Sequence, residues 1–341
     1  MRYIVWNNKG GVGKTFLTYC MAVEYAKKNP NKIVAVVDLC PQANISEMLL
    51  GGDGPGEEKL TALFNADRTV ASYIKSRYDK SRFGKIGNEI NFFVQVKEYN
   101  SNMPGNLYLL PGDNDLDVCS LLIDYLASAP ERNAWFKSRS LLADLVETFE
   151  NNYKKEECVV FIDSNPSFAN YTQMGVVIAN RIIVPCTADS ASIRGIFNIF
   201  RLILGIKGDS RLSEEIFDTF FQKMKEAGSS PPKIHSFILN KARTLEANAT
   251  KAYKAHVNEI KKIATDLYMK HSDNFTNRNE NEDRFFDLKD GNTLAVVLNY
   301  GGMLPSQLTH KRYEVYGTAT QVNQAQIDLF LENLNIVVDD L

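Results

Sequence analysis

Residues 7–15 read NNKGGVGKT, between a run of β-formers at 2–6 (RYIVW) and the stretch 16–29 (FLTYCMAVEYAKKN), whose apolar residues recur at helical spacing. Strand, glycine loop, helix is a phosphate-binding order. Gly10, Gly11 and Gly13 free the backbone so that successive N–H groups, with those of Val12 and Phe16, converge on an anion at the positive end of a helix. Lys14 is then placed to reach the β- and γ-phosphates, and the hydroxyl of Thr15 to ligate Mg²⁺. The ligand this loop expects is a polyphosphate, as of a nucleotide, with its magnesium.

Working outward, the apolar runs at 33–37, 107–110, 159–162, 182–184 and 237–239 are continuous rather than alternating. Such runs are strands covered on both faces, so the expected fold is α/β: a mainly parallel twisted sheet with helices on both sides. Helical stretches are expected at 141–153, 190–206 and 247–269. Residues 51–56 (GGDGPG) read as a loop, and the polar segment from there to about 106 as an insertion between the second and third strands. A second polar stretch, 272–283 (SDNFTNRNENED), reads as a solvated loop. No internal repeat or interdomain linker is visible, so all 341 residues are read as one domain with a C-terminal helical segment.

Composition excludes more than it names. With 44% apolar and 23% charged residues the chain is a folded protein rather than a disordered or fibrous one. No run is long enough to cross a bilayer and the N-terminus turns polar too early for a signal peptide, which gives a cytoplasmic expectation. The five cysteines, Cys20, Cys40, Cys119, Cys158 and Cys186, form no CxxC pair. They read as buried thiols rather than a zinc ribbon or disulfide framework. A net charge of −2 means that any polyanion must be met by a local patch.

The loop departs from its ordinary form. Asn8 stands where a glycine is usual, five residues before Gly13, and a second lysine, Lys9, precedes Gly10. In this the chain resembles the ParA/MinD family of deviant Walker A P-loop ATPases, and its ParA branch more closely: the family's KGGxGKT is met at every fixed position. DLCPQAN at 38–44 resembles the family's DLDPQGN switch, and CVVFIDSNPSF at 158–168 its Walker B strand and switch. NLYLLPGDNDL at 106–116 and RIIVPCTADSASIRGI at 181–196 resemble neighbouring strands and helix. The insertion after Gly51 and most of the chain beyond Lys251 match no part of that pattern. The resemblance implies an ATP-dependent homodimer in which Lys9 reaches the phosphates of the partner subunit's nucleotide. It also implies that Asn240, in LNKAR, is offered to the adenine ring, where an amide supplies both donor and acceptor. Asp163, at the end of an apolar strand facing the loop, is read as the carboxylate that holds the magnesium water shell.

One position contradicts the family. The second aspartate of its DxDPQ segment, which orients the attacking water, is Cys40 here, and a thiol is a poor acceptor and mostly neutral at pH 7. Nucleotide binding and dimerisation are therefore better supported than fast hydrolysis. Asp38, two residues upstream, is expected to face away and not to substitute; Gln42 and Asn44 are the other candidates for positioning water. A cluster bridged across a dimer, as in the related nitrogenase iron protein, is disfavoured because Cys158 and Cys186 lie in strands.

Residues 233–278 hold nine Lys or Arg against four Asp or Glu. A nonspecific DNA surface is one reading, with Lys251, Lys254, Lys261 and Lys262 as contacts; a solvated helix face is the other. A MinD-like membrane helix is disfavoured, because 326–341 carries four acids and no Lys or Arg. Its Ile327, Phe330, Leu331 and Leu334 are expected to dock on the core. The leading expectation is a ParA-like dimerisation switch reset by a partner protein. A nucleotide-gated scaffold with little hydrolysis and a metabolic ATP-dependent ligase of the same fold stand beside it.

Overall fold

The computed structural model describes residues 1–206, 220–242, 251–277, 284–289, 291 and 293–341. Among them, Arg2–Val5 (β1), Ile33–Leu39 (β2), Val94–Gln95 (β3), Leu107–Leu110 (β4), Cys158–Ser164 (β5), Arg181–Cys186 (β6), Lys233–Ala242 (β7) and Phe285–Lys289 (β8) form one sheet in the order β3-β4-β2-β5-β1-β6-β7-β8. Neighbours are parallel throughout except β3, which runs antiparallel on β4.

Both faces are covered, as the continuous apolar runs require. Tyr3, Val5, Val34 and Val36 point into one core with the helices Lys14–Lys28, Thr293–Gly301 and Gln324–Asp339. Ile4, Ala35 and Val37 point into the other with Val70–Ser81, Leu141–Asn152 and Ser190–Leu202. Each such side chain contributes about 1.5–3 kcal/mol on leaving water. The C-terminal helix docks by Ile327, Phe330 and Leu334, all at most 1% exposed.

The insertion departs from the sequence reading. Only its first residues turn: Pro55 opens the helix Pro55–Asn65, since a proline at the first helical position lacks only an N–H that would be unpaired there anyway. A second helix, Val70–Ser81, starts at Thr69, whose hydroxyl accepts from the Ser72 N–H at 3.3 Å. Its Arg77 is 1% exposed and donates to the Tyr73 hydroxyl (2.6 Å), the Phe83 carbonyl (2.6 Å) and Asp144 Oδ2 (2.9 Å). The insertion also supplies β3.

The stretch beginning at Ser272 is not a solvated loop in its described part. Phe275 is 1% exposed and packs on Phe200, Phe237 and Tyr268, one aromatic outweighing its polar neighbours. Residues 278–283 lie outside the described residues. The helix expected to 206 ends at Leu202, and the one expected from 247 is described as Lys251–Lys270, with 243–250 outside. Beyond it, Arg312–Val315 (β9) and Thr318–Gln321 (β10) form an antiparallel hairpin. Its turn residues Tyr316 and Gly317 have φ of 50° and 68°, the pairing of a type I′ turn.

Candidate nucleotide site

Parallel order brings the C-terminal ends of β1, β2 and β5 to one edge, where an open α/β sheet binds ligands. The glycine loop joins β1 to the helix Lys14–Lys28. Gly13, at φ 80°, is the residue that must be glycine: a Cβ there would lie 2.1 Å from Asn240 Nδ2. Lys14 is 6% exposed and donates to the carbonyls of Asn7 (3.2 Å) and Lys9 (3.0 Å), groups of the loop itself. Burial lowers its ammonium to about 8, opposed by the Asp163 charge.

Asp38 and Asp163 are register partners on β2 and β5 and are both fully buried. The Thr15 hydroxyl donates to Asp163 Oδ2 at 2.8 Å. Burial pushes both carboxyls upward, Asp38 further through the charge of Asp163. A buried carboxylate against a loop hydroxyl, with a second carboxylate beside it, is a set of hard oxygen donors that fits a small divalent cation. Thr15 and Asp163 would hold Mg²⁺ there, and it would supply charge neutralisation for a bound triphosphate.

The expectation that Asp38 faces away from position 40 is wrong. Residues two apart on a strand share a face, and Cys40, just past β2, donates its backbone N–H to Asp38 Oδ1 at 3.0 Å. Asp38 also accepts from the Ser46 hydroxyl (2.6 Å) and N–H (3.2 Å), so its lone pairs are engaged. Cys40 is 8% exposed, and its thiol is pushed up to about 12 by burial and then by Asp38. It is a neutral side chain at the wall of the cleft, beside Gln42 and Asn44.

That cleft, about 560 Å³, runs from Gly11, Gly13 and Thr15 past Phe16 to Asn299 and Tyr316. Asn240 stands behind the loop, 3% exposed and donating to the Val12 carbonyl at 2.8 Å. Lys9 does not line the cleft either. Its ammonium is held by the Thr187 hydroxyl at 2.6 Å and by the Asp189 carboxylate. It borders instead a second cleft, about 880 Å³, with Lys270, His271 and two arginines that the sequence reading missed, Arg194 and Arg201.

Of the proposed DNA contacts, Lys251, Lys254 and Lys262 are exposed on the helix face opposite buried Ile260, Ala264 and Leu267. Lys261 is exposed too, but lies 3.7 Å from Asp287 and over the Phe285 ring. All five cysteines are buried and unbridged, and no cluster of three or more His, Cys, Asp or Glu suited to a metal occurs among the described residues.

Comparison with known proteins agrees with this geometry. The model of the AAA_31 family, described as an AAA domain, matches residues 1–214. A Methanocaldococcus jannaschii protein, MJECL24, is 23% identical over 69% of this chain and 71% of its own. Among solved structures, apo McdA of Cyanothece superposes with a TM-score of 0.61 at 14% identity, covering 99% of this chain and 98% of that one. A putative plasmid partition protein of Borrelia burgdorferi bound to AMPPNP superposes with a TM-score of 0.54 at 15% identity, covering 100% and 99%. With its KGGVGKT loop and this match over most of its length, the chain belongs to the AAA_31 family of AAA domains, on the ParA/MinD side of that family.

Proposed function

We propose that the protein is an ATP-driven dimerisation switch of the ParA type. ATP and Mg²⁺ occupy the loop, Lys9 of each protomer crosses to the other's phosphates, and the closed dimer presents a surface to DNA and to a partner protein that stimulates hydrolysis. The observation that carries this reading is the division of labour between the two lysines. Lys14 is folded into its own loop, while Lys9 points out of the cleft to Thr187 and Asp189. Held there, Lys9 lies outside its own cleft and leaves the phosphate contacts of that cleft to Lys14.

Hydrolysis is slow in this reading, because the wall where water would be oriented carries a neutral thiol at Cys40 and because Asp38 is already occupied. The same observation favours the nearest alternative, a nucleotide-gated scaffold that dimerises and barely turns over. No membrane role is proposed: among the described residues no helix is long and apolar enough to cross a membrane, and the tail helix is docked on the core.

The test is molar mass by light scattering with ADP, ATP and a slowly hydrolysed analogue, paired with phosphate release. A dimer with ATP and analogue but not ADP supports the switch. A monomer in every state overturns it, and measurable release separates the switch from the scaffold.

A further inference from the structure

The second cleft, about 880 Å³, has no part in holding the nucleotide. One wall is the helix Ser190–Leu202, which brings Arg194, Phe197 and Arg201 to one face at helical spacing. The other is the end of the helix Lys251–Lys270, with Leu267 and Lys270. Arg194, Arg201 and Lys270 take part in no hydrogen bond or ion pair among the described residues. Other arginines of the chain are treated differently: Arg2, Arg77 and Arg139 each have a carboxylate, from Glu150, Asp144 and Asp124. Cations gathered without counter-charge repel one another, a cost that an anion held among them removes. With a net charge of −2 the whole chain does not draw anions, so the attraction is local to this cleft.

Shape and lining narrow the anion. Apolar surface lies between the cations: Phe197 is 43% exposed, and Phe200 and Leu267 line the cleft beside it. A duplex carries its phosphates on a convex rod and would meet only the rim. A single strand needs successive aromatic faces for its bases, and Phe197 is the one exposed phenyl ring among the described lining residues. A peptide that sets acidic side chains beside apolar ones meets both features, since a guanidinium takes a carboxylate through paired hydrogen bonds. Lys9, on the border of the cleft, already holds one carboxylate, that of Asp189.

We infer that this cleft binds an acidic, partly apolar segment of a partner protein, and that the bound segment keeps Lys9 on its own subunit. Its carboxylates add to that of Asp189 around the Lys9 ammonium, so binding opposes the crossing of Lys9 to a second protomer. The partner holds the chain as a monomer until it leaves. This regulatory half rests on the dimerisation switch proposed above; the binding half does not.

The experiment follows a labelled synthetic peptide alternating Glu and Leu by fluorescence anisotropy on the full, nucleotide-free chain. A peptide alternating Lys and Leu and an oligothymidine of equal length are the comparisons. The variants are Arg201→Ala, Lys270→Ala, the two together, and Lys97→Ala with Lys154→Ala, exposed cations outside the cleft. Circular dichroism checks the fold, and Lys270, exposed at the last position of its helix, can be replaced without touching the core. The acidic peptide is expected to bind wild type, to weaken about tenfold when Arg201 and Lys270 are both replaced, and to keep its affinity when Lys97 and Lys154 are. No binding by wild type, equal affinity in the Arg201 and Lys270 double variant, or tighter binding of the oligothymidine or the basic peptide overturns the assignment. Light scattering across an ATP titration reads the second half. Saturating acidic peptide should raise the ATP needed for the dimer, and an unchanged midpoint overturns the regulation while the cleft stands. A wild type that stays monomeric with ATP removes the switch and the regulation with it, and the anisotropy result still decides the cleft.

Discussion

The ammonium of Lys9 is bound by the carboxylate of Asp189, and the other oxygen of that carboxylate caps the helix Ser190–Leu202 by accepting from the N–H groups of Ala191 and Ser192, each at 3.0 Å. The lysine proposed to reach a second protomer is thus held in place by the residue that starts one wall of the basic cleft. Releasing it costs an ion pair that is partly exposed, worth about 0.2–1 kcal/mol.

Asp189→Asn keeps a good helix cap and removes the charge. The variant should dimerise at lower ATP, by up to about fivefold for each lysine released. Light scattering across an ATP titration checks it. An unchanged midpoint would mean that Lys9 does not leave Asp189 on dimerisation.

ATP affinity should depend on pH through Lys14. Its ammonium, lowered to about 8 by burial, must be charged to meet phosphate, so binding takes up a proton above that pH. Affinity should be nearly flat up to neutrality and fall about tenfold between pH 7 and 9, one pKa unit being worth about 1.4 kcal/mol. Titration at several pH values in buffers of different ionisation enthalpy would also show the proton uptake directly.

The paired carboxyls make the ligand-free protein sensitive to pH in the opposite sense from an ion pair. Asp38 and Asp163 both hold their protons more tightly when folded than when unfolded. Stability is therefore highest below the ordinary carboxylate range and is lost as pH rises through the raised values. Thermal melts without nucleotide should show a falling melting temperature from pH 5 to 7.5, a flatter slope in Asp38→Asn, and recovery on adding Mg²⁺ at neutral pH. A melting temperature that rises over that window would contradict the pairing.

Cys40→Asp should raise single-turnover phosphate release by two to three powers of ten, the usual worth of one electrostatic group in a site of this kind, roughly 3–4 kcal/mol. It also places a third carboxylate beside Asp38 and Asp163, so the ligand-free variant should melt below wild type. Fast release by wild type with a short-lived dimer would show that Gln42, Asn44 or a partner supplies the missing group.

Charge reversal of Lys251, Lys254 and Lys262 to Glu should weaken binding to duplexes of any sequence and flatten the salt dependence by about 0.9 in the log–log slope per lost phosphate contact. Lys261→Glu alone should do less, since that ammonium already serves Asp287 and Phe285. ATP affinity should be unaltered in both. DNA retention assays with wild type and variants decide between a DNA surface and a solvated helix face.

The strands were legible because they are buried on both sides, which makes hydrophobicity itself the signal: 33–37 and 159–162 announce β2 and β5 without periodicity. The glycine loop was legible because each of its residues has one chemical task. The insertion was not. Its helix Val70–Ser81 is polar on average, and it hides a buried arginine, Arg77, whose partners Phe83 and Asp144 no local pattern connects to it. The far wall of the nucleotide cleft escaped for the same reason. Asp53, Asn299 and Tyr316 are ordinary loop and turn residues until the fold gathers them from opposite ends of the chain. Asp38 was misread by a rule of alternation applied across two residues instead of one.

The short strand Val94–Gln95 lies antiparallel against β4, its Val94 opposite Leu109 and Gln95 opposite Tyr108. A parallel β4 left bare would offer its unpaired amides to any extended chain, and so to its own copies. With the insertion folded over it, that flank ends in a strand of only two residues, which leaves an extended chain little to pair with. In the proposed dimer, whose halves would meet around a nucleotide, a blunted edge favours contacts that can be undone when the nucleotide changes over a continuous sheet that could not be dissolved so readily.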